Sequence, residues 1–214
     1  MQELAARYIT EEEYIDFEEQ SPVKHEYFDG CIYAMSGGSN RHAVLCTNAA
    51  AALVSRLRGK PCRAVGSEQR VKIEATGLQT YPDVSVYCLP ARFEGKSNEM
   101  LLNPTVIIEV LSPSTEIYFQ AYDQGTKFEH YKQLPSLTDY LLIAQDHVQV
   151  DHFHRQENGD WLLHTARTIE ESIALDAVGA ALPLGELYDG IEFPAEPLPL
   201  RPQVPDAELP FSLP

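Results

Sequence analysis

The sequence has few basic residues and no long hydrophobic run. Its 214 residues include 16 Lys and Arg against 32 Asp and Glu, a formal net charge of -16. This balance argues against a polyanionic partner, because binding phosphate normally requires clustered basic side chains. The longest apolar stretches, around Val106 and Leu141, fall far short of the roughly 20 residues that span a membrane, and the acidic N-terminus lacks a signal-peptide pattern. We therefore expect a soluble, cytoplasmic protein with no membrane contact.

Cysteine is also scarce. The four cysteines, Cys31, Cys46, Cys62 and Cys88, form no CxxC pair and stand among apolar residues. We predict small buried thiols rather than disulfides or a zinc site, as is usual in a reducing compartment.

The few basic residues are unevenly distributed. Seven of them lie between residues 41 and 72, where Glu68 is the one acid, so this segment carries a local charge of +6. It could contact phosphate, although solvated faces of helices and strands produce similar runs. The seven are Arg41, Arg56, Arg58, Lys60, Arg63, Arg70 and Lys72.

The length and the order of predicted elements indicate one α/β domain over residues 1–192. The sequence predicts helices over 11–19, 41–58 and roughly 123–133, and Asp29-Gly30 predicts a tight turn between two strands. Strands are predicted over 62–65, 70–73, 81–86, 106–111, 137–144, 148–153 and 160–168. Seven of the fifteen prolines lie between Pro194 and Pro214, so residues 193–214 are predicted to be an extended tail, or an arm that binds a partner.

Two carboxylates interrupt strand-like runs that are otherwise suited to burial. Asp83 stands in Tyr81-Pro82-Asp83-Val84-Ser85-Val86, and Glu109 in Val106-Ile107-Ile108-Glu109-Val110-Leu111. A buried carboxylate costs several kcal/mol unless a cation or hydrogen bonds compensate it. The pair therefore suggests a metal site.

Four segments, in this order and spacing, resemble the bacterial Uma-type family, whose members are classed as restriction endonucleases of the PD-(D/E)XK nuclease superfamily. The resemblance covers roughly residues 8–192, and the segment around Glu109 is its most specific part. The four segments are Glu26-Tyr27-Phe28-Asp29-Gly30, Pro82-Asp83-Val84-Ser85-Val86, Ile108-Glu109-Val110-Leu111-Ser112-Pro113-Ser114-Thr115 and Asp123-Gln124-Gly125-Thr126-Lys127-Phe128-Glu129-His130-Tyr131.

The resemblance implies a restriction-endonuclease-like core, with a central mixed sheet flanked by helices and extra β-hairpins. It implies that Asp83, Glu109 and the carbonyl of Val110 hold one divalent ion, Mg²⁺ or Mn²⁺, which suits hard oxygen ligands. Glu26 is expected to join as a further ligand, directly or through water. Such an ion would activate a water for phosphodiester hydrolysis.

The sequence departs from the superfamily pattern two residues after Glu109. Leu111 stands where a lysine usually orients the attacking water. We expect Lys127, on the following helix and four residues before Tyr131, to replace it. The alternative is that Lys127 pairs with Asp123 on a solvated helix face, where the pair would stabilise by only a few tenths of a kcal/mol.

Further residues are candidates for contact with the substrate, and one pair of histidines could bind metal. His152 and His154 are two apart on one predicted strand, a spacing that could hold an ion, but the sequence offers no third ligand nearby, so we expect no site there. The candidates for substrate contact are Tyr131, Arg41, His42, Arg56, Arg58 and Ser112.

Three functions remain open. The first is a metal-dependent nuclease that acts on DNA, expected to self-associate as a homodimer. The second, favoured by the acidic charge and by Leu111, is a non-catalytic module of the same fold that binds nucleic acid or protein. The third is a hydrolase of a small phosphate ester, which an acidic surface would tolerate better. Salt sensitivity separates the first from the third, because DNA binding weakens steeply as salt rises.

Overall fold

The computed structural model describes residues 7–35, 37–95, 98–111 and 126–193. Among them, no helix is both long and apolar enough to cross a membrane. The predicted N-cap Asp123, the predicted phosphate contact Ser112 and the proline-rich residues 194–214 lie outside the described residues.

The described helices are short except for one. The helices are α1 (Glu11–Glu18), α2 (Asn40–Arg56), α3 (Lys127–Tyr131) and α4 (Leu184–Leu187), with a 3₁₀ turn at Asp176–Val178. Thr10 caps α1 in a capping box with Glu13, and Ser39 caps α2 by accepting a hydrogen bond from the backbone of His42. These caps satisfy amide groups that the first turn of a helix leaves without partners.

One six-stranded sheet contains the predicted hairpin. Asp29 and Gly30 connect its first two strands with φ of 46° and 76°, the left-handed conformation that the Asp-Gly pair predicts. In spatial order the strands are β2 (Cys31–Ala34), β1 (His25–Phe28), β5 (Gln79–Thr80), β4 (Arg70–Lys72), β8 (Met100–Leu101) and β7 (Phe93–Glu94).

A second six-stranded sheet forms the centre of the fold. Its β9 and β10 are parallel and its other neighbours antiparallel. In spatial order it contains β12 (Trp161–Ala166), β11 (Val150–Arg155), β10 (Asp139–Ile143), β9 (Pro104–Val110), β6 (Val84–Cys88) and β3 (Cys62–Gly66), and a separate hairpin pairs β13 (Ser172–Leu175) with β14 (Ala180–Pro183).

Both faces of the central sheet are covered by apolar side chains. On one face Val106, Ile108 and Val110 pack with α2, the β13–β14 hairpin and α4. On the other face Ile107 packs with α3 and with residues of the first sheet. β9 therefore has neighbours on both sides, as a buried strand of a mixed sheet does. This mixed sheet with few helices confirms the predicted fold class.

The prediction of four buried thiols is wrong. Cys62 and Cys88 form a disulfide, because the antiparallel register of β3 and β6 places them directly opposite each other. Cys31 is exposed on β2, and Cys46 is a half-buried thiol on α2. The pairing depends on the register between two strands, which the spacing of the cysteines does not reveal.

Candidate active site

Asp83 and Glu109 lie side by side at one end of the central sheet. Asp83 immediately precedes β6 rather than lying within it, and the next residue, Val84, pairs with Ile108 of β9. The backbone N–H of Val110 donates to Oδ2 of Asp83 at 2.7 Å, and that of Asp83 points at Oε2 of Glu109 at 3.4 Å. Backbone donors therefore hold both carboxylates at the same strand ends.

Lys127 joins this pair from α3. Its Nζ lies 2.9 Å from Oε1 of Glu109 and 2.9 Å from Oε1 of Glu26, and only 7% of its side chain is exposed. The alternative that placed Lys127 on a solvated helix face is therefore wrong. Removing one partner of a buried ion pair leaves an uncompensated charge and is costly, whereas an exposed ion pair contributes little.

Glu26 is brought to the cluster by the first sheet. It lies on β1 and is nearly buried, and the hydroxyl of Thr80 donates to its Oε1, the oxygen that also faces Lys127. Thr80 is on β5, which pairs with β1. The sequence reasoning missed Thr80, because no local motif connects it with Glu26.

Tyr131 is fully buried beneath the cluster, so it presents no surface to a substrate. Its hydroxyl donates to Oε1 of Glu109 at 2.8 Å. Burial, together with the charge of Glu109, raises the pKa of Tyr131 well above its ordinary value. The phenol therefore stays protonated and orients the carboxylate, in place of the predicted contact with substrate.

His42, in the first turn of α2, approaches the cluster from the opposite side. Its Nε2 lies 3.3 Å from Oδ2 of Asp83. A hydrogen bond to Asp83 raises the pKa of His42 above its ordinary value, although burial opposes the shift, and the backbone of Val110 adds to it. The imidazole thus meets two of the groups that were predicted to bind metal.

Cys46 is a second residue that the sequence reasoning missed. Its Sγ lies 3.4 Å from Nδ1 of His42, and His42, Cys46 and Asp83 offer ligand atoms within 4.8 Å of one another. Burial raises the pKa of the Cys46 thiol well above its ordinary value. The spacing of four residues on a helix was the available signal, since it places both side chains on one face.

Leu111 contributes no charge to the cluster. It is nearly buried and continues the β9 ladder by donating its N–H to the carbonyl of Ile143 at 2.8 Å. The side chain of Gln145 donates to the carbonyl of Leu111 at 2.6 Å and accepts from the hydroxyl of Ser39, the cap of α2. This chain of bonds connects the end of β9 with the start of the helix that carries His42.

The other predicted substrate contacts are less close to the cluster. Arg41 is half-buried and precedes His42 in the chain, whereas Arg56 ends α2, about 21 Å along the helix axis from His42, and Arg58 follows the helix. Arg56 binds both carboxylate oxygens of Glu186, at 2.6 and 2.8 Å, and Arg58 is exposed. The structure does not bring these two arginines to the carboxylates.

Comparison with known proteins places the chain in a family. The family model Uma2, described as "Putative restriction endonuclease", matches residues 11–185. The chain is 38% identical over 185 residues to the uncharacterized protein slr1290 of Synechocystis sp., covering 86% of this chain and 94% of that protein. It is also 32% identical over 155 residues to the uncharacterized protein sll1609 of the same organism, covering 72% of this chain and 85% of that protein.

A solved structure has the same fold. The crystal structure of a protein from Anabaena variabilis described as a putative nuclease belonging to DUF820 superposes with a TM-score of 0.66, covering 84% of this chain and 97% of that chain at 20% identity. At this identity the likeness is evidence of fold alone. Together with the family match over most of the sequence, it confirms the resemblance seen in the motifs: the chain belongs to the Uma2 family of restriction-endonuclease-like proteins.

Proposed function

We propose that the protein is a divalent-metal-dependent endonuclease that hydrolyses DNA phosphodiester bonds at the cluster around Asp83 and Glu109. The observation that carries the proposal is the position of Lys127, 2.9 Å from Glu109. Leu111 occupies the position two residues after Glu109 where the superfamily pattern has a lysine. Lys127 of α3 places an ammonium group beside Glu109 instead. A nuclease function is further supported by the description of the family and by the fold of the solved neighbour.

The donor set fits a hard divalent cation. Asp83 and Glu109 offer carboxylate oxygens at adjoining strand ends, and Val110 offers a backbone carbonyl beside them. Oxygen ligands of this kind suit Mg²⁺ or Mn²⁺. A bound ion would make a water more acidic and stabilise negative charge on the phosphate.

The chain's own residues would then position and polarise the reactants. Lys127 orients the attacking water and stabilises the negative charge that develops on the scissile phosphate. Preorganised donors contribute most at the position where such charge develops in the transition state. Glu26 holds Lys127 in place through its 2.9 Å contact. Tyr131 orients Glu109, and the imidazole of His42 lies close enough to Asp83 to contact a phosphate oxygen of the substrate.

Phosphate binding has to overcome the chain's acidity. Several residues of the basic segment already have partners within the fold. Arg56 pairs with Glu186, and Lys72 pairs with Glu11 and Glu94. Arg41, beside His42, is the basic residue of the segment that lies best for contact with the DNA backbone. With few phosphate contacts, binding should be weak and should decrease as salt rises.

The test is Mn²⁺-supported cleavage of plasmid, linear, single-stranded and branched DNA at low salt. Wild type is compared with Asp83→Asn and with the control Asp16→Asn, which makes the same chemical change at an exposed position on α1. We expect cleavage that requires metal, is abolished in Asp83→Asn and persists in Asp16→Asn. Binding of Mn²⁺ is measured in parallel by calorimetry.

Two other results would replace the proposal. Wild type that binds Mn²⁺ through Asp83 but cuts no DNA would indicate the non-catalytic module, with Leu111 as the physical reason. Cleavage of a small chromogenic phosphodiester at a rate insensitive to salt, without cleavage of DNA, would indicate a hydrolase of small phosphate esters.

A further inference from the structure

Three potential metal ligands meet on the central sheet away from the candidate active site. Asp139 begins β10, and His152 and His154 lie on the neighbouring β11. The sequence offered no third ligand for the two histidines. The structure supplies Asp139, because the antiparallel register places it directly opposite His154.

The three side chains converge on one atom. Oδ1 of Asp139 lies 2.7 Å from Nε2 of His152 and 2.8 Å from Nδ1 of His154. Asp139 is completely buried and the His152 side chain is 10% exposed, whereas that of His154 is 40% exposed and leaves a path to solvent. The hydroxyl of Thr138 lies 2.6 Å from Oδ2 of Asp139, and outer contacts of this kind orient carboxylates that bind metals.

This group is distinct from the carboxylates around Lys127. Asp139 pairs with Val106 across the β9–β10 ladder, and side chains of paired residues point to the same face. Val106 stands three residues before Glu109 on β9, so its side chain and that of Glu109 point to opposite faces. The two groups therefore lie on opposite faces of the central sheet.

We propose that Asp139, His152 and His154 bind one divalent transition-metal ion of the Zn²⁺ class. Two imidazoles and a carboxylate on rigid neighbouring strands form a donor set that suits Zn²⁺, Co²⁺ or Ni²⁺ and disfavours Mg²⁺. In a tetrahedral site with metal–ligand distances near 2.0–2.1 Å, ligand atoms stand about 3.4 Å apart. The distances from Oδ1 of Asp139 to the two histidine nitrogens must therefore lengthen by about 0.6 Å, which small side-chain rotations allow.

A fourth ligand is within reach on β12. His164 pairs with His152 across the β11–β12 ladder, on the same face of the sheet, and is exposed. The Cβ atoms of such a pair are about 5 Å apart, so a change of rotamer brings His164 to the ion. With four protein ligands the site would be closed, as structural zinc sites are, and would join β10, β11 and β12.

Binding requires lone pairs on Nε2 of His152 and Nδ1 of His154. These atoms contact Oδ1 of Asp139, so a proton carried on either of them has to move to the other ring nitrogen or to water when the ion enters. If the two histidines serve only as hydrogen-bond donors to the buried carboxylate of Asp139, they need their N–H groups and a metal ion adds no stability. This difference allows a test.

The test variant is His154→Gln, because an amide still donates to Asp139 but provides no imidazole. It is made in an Asp83→Ala background, which weakens metal binding at the other group, and His147→Gln in the same background is the control. His147 is half-exposed and contacts Asp146 rather than Asp139. Calorimetry with Zn²⁺, visible spectra with Co²⁺ and thermal unfolding are measured on metal-free protein.

We expect one equivalent of Zn²⁺ and a nitrogen-coordinated Co²⁺ spectrum in the background protein and in His147→Gln. In His154→Gln, Zn²⁺ affinity should fall by more than about 100-fold, the upper end of the loss caused by removing an outer partner of a ligand, and the rise in melting temperature with Zn²⁺ should be lost. Excess Mg²⁺ should not compete. Zn²⁺ binding that is absent from the background protein, or equal in the two glutamine variants, would overturn the proposal. Asp139, His152 and His154 would then be a hydrogen-bonded group without a metal.

Discussion

The two faces of the central sheet each carry a buried carboxylate with side-chain hydrogen-bond partners, but the partners differ. On one face Glu109 meets the ammonium of Lys127 and the phenol of Tyr131. On the other, Asp139 meets two imidazoles. Burial acts to raise the pKa of Asp139, but hydrogen bonds from His152, Thr138 and His154 outweigh it and hold that pKa below its ordinary value.

The different partners of Glu109 and Asp139 determine what each cluster can bind. Lysine carries no lone pair while it is charged, so on the Glu109 face a bound ion would take the carboxylates and the carbonyl of Val110 as its ligands, and Lys127 would contact the substrate rather than the ion. Imidazoles can exchange their protons for a softer ion, so on the Asp139 face the nitrogens themselves become ligands. One sheet thus separates a proposed catalytic site from a proposed structural one.

The largest expected effect concerns Lys127. Lys127→Met keeps most of the apolar stem and removes the charge, and we expect DNA cleavage to fall by about 100- to 1,000-fold, as when a preorganised donor is lost from a catalytic site. Zn²⁺ binding at Asp139 should be unchanged, because the two groups lie on opposite faces. Cleavage rates and calorimetry on the same preparation measure both quantities.

The matched second variant is Lys127→Met combined with Leu111→Lys. Leu111 follows Glu109 by two residues on a continuing strand, so its side chain points to the same face, and a lysine there restores the superfamily pattern. We expect this variant to recover part of the lost cleavage, with its fold verified by circular dichroism. Full cleavage in Lys127→Met would refute the role given to Lys127.

Next in size is the loss of the carboxylate on the other face. Asp139→Ala in metal-free protein removes two charge-assisted hydrogen bonds and leaves His152 with a buried, unmatched nitrogen, so we expect the free energy of unfolding to fall by about 3 kcal/mol. Urea unfolding measures it. Glu186→Ala is the comparison, since it breaks an ion pair with Arg56 at the surface; its loss should be clearly smaller, because solvent screens exposed pairs.

A smaller effect is expected where a hydroxyl orients a carboxylate. Tyr131→Phe removes the 2.8 Å bond to Glu109 but preserves the ring, so we expect cleavage to fall by about 10-fold, in the range found for contacts that orient ligands. Tyr87→Phe, in the same apolar cluster, is the control and should cut DNA normally. Equal rates in the two variants would show that Tyr131 only packs.

The sequence predicts features that depend on local patterns and fails for those that depend on register. Asp29-Gly30 predicts its turn because the pair favours positive φ, and the motifs around Asp83, Glu109 and Lys127 identify side chains that the structure brings together. The Cys62–Cys88 disulfide and the contact of Asp139 with His154 follow from which residues face each other across neighbouring strands. That pairing is fixed by the packing of the whole sheet.

The smallest expected effect is a pH dependence that distinguishes the two faces. The hydrogen bond to Asp83 raises the pKa of His42, so the folded state binds that proton more tightly than the unfolded state. The resulting stability is fully present below the ordinary pKa of 6.5 and is lost as pH rises through the folded value. The contribution of Asp139 to stability depends on pH in the opposite direction. Its pKa is lowered in the folded state, so this contribution is present above the ordinary pKa of 3.8 and is lost as the pH falls through the folded value.

Urea unfolding of metal-free wild type and His42→Gln between about pH 6 and 8.5 isolates the first of these dependences, because Asp139 stays ionised throughout that range. We expect the stability of wild type relative to His42→Gln to decline as pH rises, by a modest amount because His42 is one-fifth exposed. A difference that stays constant with pH would mean that His42 does not take up a proton beside Asp83. Since that proton and a divalent ion would occupy the same corner, saturating Mn²⁺ should also abolish the decline in wild type.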